Sequence, residues 1–163
     1  MNEYHSLRRT EKLIKDEKII TKLLKKHPYL TIALCNDNMP YLVTLNYVYD
    51  QENECFYIHC ANLGKKNDYI TKNSNVWGQI MEDGGYIKGE CDYKYRTIHF
   101  KGNFRFIEEL EEKRRALELM IDKYEEEPEP VRVKFINEKA LKNVNIGKIQ
   151  IEDITGKQGG ITS

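Results

Sequence analysis

The apolar positions change period several times along this chain, and each change marks an element boundary. Ile19, Ile20, Leu23 and Leu24 recur at helical spacing, with Asp16 placed to cap the run and Pro28 to stop it. A helix to about Lys26 is predicted, preceded by an N-terminal arm over residues 1–15 without strong periodicity. From Leu30 the period becomes two: Leu30, Ile32 and Leu34 alternate with Thr31, Ala33 and Cys35. Asn36–Pro40 reads as a turn. A second strand over Leu42–Tyr49 sets Val43, Leu45, Tyr47 and Tyr49 on one face and Thr44, Asn46 and Val48 on the other. A turn at Asp50–Asn53 leads to a third strand, Glu54–Ala61. Short loops between three successive strands predict an antiparallel meander.

Gly64 closes the exit loop of the third strand, and Lys65–Lys72 reads as a short helix. Val76–Glu82 is a fourth strand ending in a turn at Asp83–Gly85. Tyr95–Ile107 is a long strand with Ile98, Phe100, Phe104 and Phe106 inward, and Gly102 in its middle suits a bulge or a barrel corner. Leu110, Leu117, Met120, Ile121 and Tyr124 mark a helix over Glu108–Tyr124 whose acidic first turn complements the helix dipole. Glu125–Pro130 reads as a linker, and a short element follows. The last strand, Val144–Ile154, changes apolar phase across Gly147, as one extra residue in a bulge would produce; a tail runs from Thr155 to Ser163. Six antiparallel strands with helices predict a single mainly β domain over 1–163, and closing the sheet into a small barrel removes exposed edges.

Composition adds bounds. The 26 basic and 26 acidic side chains balance, so no global field favours nucleic acid or an anionic membrane. No apolar stretch approaches the roughly 18–20 residues needed to span a bilayer, and the start of the chain lacks a signal-peptide core. Cys35, Cys55, Cys60 and Cys91 form no CxxC pair, and reduced thiols in a cytoplasmic protein are expected.

Candidate chemistry gathers around YIHCANLGKK, Tyr57–Lys66. A strand ending in a glycine turn and passing Lys65 and Lys66 into a helix start suits a phosphate, because the N–H groups and dipole there favour an anion. A solvated loop with two surface lysines is the plainer reading, and the segment is not a Walker A motif. His59 is either a satisfied, half-buried histidine or an imidazole facing a cofactor. Cys55, His59 and Cys60 are close in sequence but point to opposite faces, so no metal site is expected. Thr44 and Asn46 form either a solvated face or a hydrogen-bonding wall for a ligand. Arg96 pairs either a surface carboxylate or a phosphate.

Taken in order, LRRTEKLI, MPYLVTLNYVYD, FYIHCANLGKKNDYI, CDYKYRTI, GNFRFIEELEEKRRAL and IQIEDITGK resemble the flavin-binding split-barrel family, also called pyridoxamine 5′-phosphate oxidase-like, and within it the 5-nitroimidazole-resistance (Nim-like) proteins. The resemblance implies a six-stranded antiparallel split β-barrel, a homodimer, and an FMN in each crevice between subunits. By similarity, Thr44, Leu45 and Asn46 would line the flavin ring, with His59, Cys60 and Ala61 beside it. Lys65 and Lys66 would hold the phosphate, and Tyr95, Arg96 and Thr97 would contact ring or phosphate. Thr97 and Ile98 stand where the family often has serine and valine, and Thr155-Gly156-Lys157 is family-like. The implied activity is an FMN-dependent oxidoreductase taking electrons from NAD(P)H or another donor to a small oxidised substrate such as a nitroaromatic, with His59 as proton donor or orienting group. A flavin carrier or sensor without turnover is the alternative, and haem binding through His5, His27 or His99 a third. Pyridoxamine phosphate oxidase activity itself is not expected, since the substrate-holding C-terminal extension has no counterpart here.

Overall fold

A computed structural model describes residues 9–160. Helices α1 (Glu17–Lys26), α2 (Lys65–Lys72), α3 (Leu110–Tyr124), α4 (Pro128–Phe135) and α5 (Glu138–Asn143) surround strands β1 (Tyr29–Asn36), β2 (Met39–Asn46), β3 (Val48–Asp50), β4 (Cys55–Cys60), β5 (Asn75–Ile87), β6 (Asp92–Phe106) and β7 (Asn145–Gly159). Among the described residues the strands form one antiparallel sheet in the order β2-β1-β5-β6-β7-β4-β3, mainly β with helices, in the manner of a split barrel. Asp16 caps α1 by accepting from the Lys18 N–H at 2.9 Å.

The predicted second strand is two strands. At Tyr47 the chain leaves β2, one edge of the sheet, and enters β3, the opposite edge. This corrects the meander: β1 pairs with β2 and β3 with β4, but β2 and β3 do not pair. The sheet curls until its two edges are consecutive in sequence, yet no ladder closes it. Taking β2 and β3 as one strand recovers the six-strand count. The β1–β2 loop is two residues, Asp37 (φ 49°) and Asn38 (φ 60°), the left-handed pair that a tight hairpin needs.

The break at Tyr47 is held from outside the sheet. The Tyr47 N–H donates to the Tyr124 hydroxyl at 3.2 Å, and that hydroxyl lies 2.7 Å from the Tyr47 carbonyl and 2.9 Å from that of Pro28. Lys123 donates to the His27 and Tyr47 carbonyls at 2.7 and 2.9 Å. Burial lowers the Lys123 pKa to about 8.

Two cores flank the sheet. The inner one centres on Phe56, whose ring lies 4.7 Å from Phe100, 5.2 Å from Tyr47 and 5.6 Å from Tyr49. The outer one packs Val48, Cys55, Tyr57 and Ile146 under Ala116 and its neighbours on α3. The phase change in β7 is thereby corrected. No bulge occurs at Gly147: Ile146 faces the outer core and Ile149 the inner one. Gly147 cedes its inner position to Phe104, whose ring tip would lie 2.2 Å from an added Cβ. The register shift falls between Lys101 and Gly102, the place Gly102 suggested, with Gln150 O 2.3 Å from where a Cβ would sit.

Four further expectations change. Asp83–Gly85 is a bulge inside β5, not its end. Part of the supposed arm packs: Leu13 bridges Lys157 and Ile14 is buried. Thr155-Gly156-Lys157 is strand paired with β6, not tail. The linker is helical from Pro128, which occupies the first turn of α4, where its missing N–H costs nothing.

Candidate functional site

The outer face of β2, β1, β5 and β6 presents a polar row. The register sets Thr44 beside Thr31, Thr31 beside Gln79, and Gln79 beside His99. The Thr31 and Thr44 hydroxyls are 2.9 Å apart, and the Asn46 amide donates to Pro28 O at 3.5 Å. Leu45 points the other way and packs on the inner core, so only its backbone belongs to this face. Around the row stand exposed apolar side chains, among them Tyr29 (58%), Leu42 (67%) and Met81 (54%). A depression of about 240 Å³ lies over Thr31, Leu42, Trp77, Gln79 and His99. Burial, then the charge of Lys157, lowers the His99 pKa.

A second group forms where β4 passes to α2. Gly64 (φ 133°) is the N-cap and supplies no side chain, so among the described residues no side-chain cap closes the first turn of α2. Lys65 stacks over the rings of Tyr41 and Tyr69 at 4.6 and 5.6 Å. Lys66 reaches inward, its ammonium 3.0 Å from the buried Cys60 sulfur. The Ala61 carbonyl accepts from Asn67 and Asn145 at 2.9 and 3.0 Å. His59 is exposed on the outer face of β4, sharing it with Cys55 and Tyr57.

The third predicted group lies elsewhere. Arg96 bonds Glu82 at 3.4 Å and Gln158 at 3.3 Å. Thr97 is buried and donates to the Ile80 carbonyl at 3.3 Å. The ammonium groups of Lys12 and Lys157 each lie 5.8 Å from the Tyr95 ring centroid. Thr97 pairs with Lys157 and Cys60 with Asn145; these partners are 12 residues apart on β7 (157 minus 145). At ~3.3 Å per residue that is about 40 Å of strand. One chain therefore brings Lys65 and Lys66 to Cys60 and Tyr41, but not to Tyr95, Arg96 or Thr97.

Two of the three haem candidates, His27 and His99, are described. His27 ends α1, 3.8 Å from Glu82, with its Nε2 buried and no hydrogen-bond partner, and burial lowers its pKa against the opposing pull of Glu82. His99 stands on the outer sheet face, and His5 lies outside the described residues. No cluster of three or more metal-ligating side chains exists among the described residues. Nor is any described helix long and apolar enough to cross a membrane.

Sequence reasoning missed a cavity of about 470 Å³ between α3, α4, α5 and the end of β4, with His59 in its wall. Pro128 following the acidic Glu125–Glu127 run was the available signal, since proline at a first helical position would have announced α4.

The curled antiparallel sheet, with its two edges consecutive in sequence at Tyr47 and an uncapped helix start at its corner, defines the class of split barrels. The chain belongs to the pyridoxamine 5′-phosphate oxidase family, whose model matches residues 16–158. No curated protein sequence matches it. Solved structures do. One is a candidate 5-nitroimidazole antibiotic resistance protein from Bacteroides thetaiotaomicron, 24% identical, covering 90% of this chain and 86% of that one at a TM-score of 0.76. Another is the flavocytochrome Anf3 from Azotobacter vinelandii, 13% identical over 99% and 75% at 0.79. A third is an FAD- and haem-binding protein from Mycobacterium smegmatis, 18% identical over 92% and 74% at 0.73. At these identities the likeness establishes the fold.

Proposed function

We propose that the chain is an FMN-dependent oxidoreductase acting as a homodimer on small oxidised compounds, nitroaromatics among them, with NAD(P)H as electron donor. The observation that carries this reading is the start of α2: an N-terminus without a side-chain cap, two lysines in its first turn, and a strand wall beside it. Backbone N–H groups and Lys65 would hold the phosphate, with Lys66 turning from Cys60 to join them. Thr44 and Asn46 would offer hydrogen bonds to the polar edge of the ring. When bound, flavin supplies the redox chemistry; the chain's own residues bind, orient and exclude water. His59, Cys60 and Ala61 would form the adjoining wall, His59 with a nitrogen free to pass or hold a proton.

The dimer is supported by two features. Lys65 and Lys66 are far along the sheet from Tyr95, Arg96 and Thr97, so a phosphate site using both groups needs a second copy. The outer face of β2, β1 and β5 also leaves Tyr29, Leu42 and Met81 exposed, which a copy of this chain would cover. The fold's resemblance to a nitroimidazole-resistance candidate supports the substrate class.

The purified protein should be yellow, or turn so on titration with FMN; a colourless chain that binds neither FMN nor FAD sinks the reading. Flavin released by heat and separated by chromatography distinguishes the two cofactors. Replacing both Lys65 and Lys66 by Ala should weaken FMN binding by ~3 kcal/mol or more, each charge-assisted bond being worth about 1.5–3 kcal/mol. NAD(P)H oxidation with nitro compounds and quinones separates an enzyme from a flavin carrier, which would hold FMN that no donor reduces. Addition of haemin with a search for a Soret band tests the haem alternative.

A further inference from the structure

Cys60 differs from the other three cysteines in what touches it. Cys35 and Cys91 are exposed, and Cys55 lies in the outer core, where burial raises its pKa. Among the described residues only the Cys60 sulfur accepts from an ammonium, that of Lys66 at 3.0 Å, while its own S–H points to the Ile58 carbonyl at 3.6 Å. The contact is as unusual for the lysine. Lys66 is half-buried in the first turn of α2 and, among the described residues, has no carboxylate partner. The loop between the two is tied at both ends. The Ala61 carbonyl, next to Cys60, accepts from Asn67, next to Lys66, at 2.9 Å and from Asn145 of β7 at 3.0 Å. Nitrogen and sulfur are thus held within the ~3–3.5 Å range from which a bond can form. No thiol competes at this position. Cys55 and Cys60 belong to cores on opposite faces of the sheet, so the nucleophile in contact with Cys60 is Lys66 and not a second cysteine.

From this contact we infer that Cys60 and Lys66 form a modification site: hydrogen peroxide joins Sγ to Nζ in a sulfenamide, and the bridge withholds Lys66 from an anion at the start of α2. The Cys60 sulfur first attacks one peroxide oxygen. The S–O bond forms, the O–O bond breaks, and the leaving hydroxide takes the thiol proton as water. Nζ, having released one proton to solvent, then attacks the sulfur of the sulfenic acid. The N–S bond forms, the S–O bond breaks, and the departing hydroxide takes a second nitrogen proton as water. Sulfur loses two electrons and peroxide gains them. One thiol, one ammonium and one peroxide become one sulfenamide, two waters and one proton. Lys66 also governs access, since with its side chain in place the Cys60 residue is only 4% exposed. Peroxide reaches the sulfur when Lys66 swings out, and the returning amine meets the sulfenic acid. The bridged nitrogen has lost its charge and is tethered to β4. The effect on flavin rests on the phosphate reading above; the bridge itself does not.

The test uses the full chain carrying Cys35→Ser and Cys91→Ser, because exposed thiols would form disulfides that lose the same two hydrogens. After treatment with hydrogen peroxide, mass spectrometry of proteolytic fragments should show the Cys60 and Lys66 peptides joined, lighter together by two hydrogens, and dithiothreitol should separate them. Lys66→Arg should retain helical circular dichroism and remove the link, because a guanidinium stays protonated, and dimedone should then trap Cys60 as its sulfenic acid. The bridged chain should bind FMN about 10-fold more weakly than the same chain after dithiothreitol, the loss of one charge-assisted bond. Absence of joined fragments, a link that survives Lys66→Arg, or equal and measurable FMN binding before and after reduction would overturn the inference. A chain that forms the bridge but binds no flavin in either state would leave the bridge standing while the oxidoreductase reading fell.

Discussion

Strands β4 and β7 bury apolar side chains on both faces, whereas β1, β2 and β5 bury them only inward and carry Tyr29, Leu42 and Met81 into solvent. The first region owes its second buried face to α3, which covers Tyr57 and Ile146 with Ala116 and Leu117. Among the described residues no helix covers the outer face of the second. The inner core is common to both, so the sheet forms without an outer cover, and the apolar groups left on the bare half add little to the stability of a single chain.

Four variants grade that difference. Phe56→Ala, in the core shared by both halves, should cost ~3–5 kcal/mol in urea unfolding. Ala116→Leu should overpack the seam between α3 and the covered half and cost about 1–3 kcal/mol; a neutral result would mean that the helix rides loosely on the sheet. Arg115→Ala should cost ~1.5 kcal/mol, at the low end for bonds to a charged group because the guanidinium is 40% exposed. It also changes acid stability. Burial pushes the Asp50 pKa up, but bonds from Arg115 at 2.6 and 3.0 Å and from Asn53 outweigh it and bring it to about 2. Asp50 thus contributes stability that is present above its unfolded pKa, about 4, and lost as pH falls towards 2. In Arg115→Ala burial is opposed only by Asn53, the folded pKa rises towards the unfolded one, and this pH-dependent contribution should shrink: urea unfolding at a series of pH values should show a less stable variant near pH 7 that loses less stability between about pH 4 and 2. Smallest of all, Leu42→Asp with Met81→Asp should change the unfolding free energy by less than about 0.5 kcal/mol. The same double variant should sediment as a monomer if a second copy covers this face. A large fall in monomer stability would break the contrast between the halves.

Most elements were legible because each is one-sided. The stripe Ile19, Ile20, Leu23 and Leu24 gave α1 with its Asp16 cap, and the alternation in Leu30–Cys35 gave β1. Lys65–Lys72 matches α2 residue for residue. The reading failed where burial is two-sided or partnership is distant. In β7, Ile146 and Ile149 serve different cores, which imitates a bulge in a one-dimensional pattern. Local spacing cannot show that Leu45 and Tyr49 belong to opposite edges of one sheet, because the evidence for it is pairing with β1 and β4. At the site, the α2 corner could be read from glycine and lysine positions. The cavity could not, since α4 buries none of its own residues and leaves no apolar stripe. His59 was placed on the correct strand face, but the residues opposite it come from 58 or more positions downstream (117 minus 59).

The crossing at Tyr47 bears on how the molecule opens. Its amide hydrogen is held by the Tyr124 hydroxyl and not by a strand neighbour. Native-state hydrogen exchange at that one amide should therefore follow the undocking of the last turn of α3, while the flanking amides of β2 and β3 follow the opening of the ladders. If the two rates differ, the helix lets go of the seam before the strands part, and the fold breathes along the line where its two edges meet.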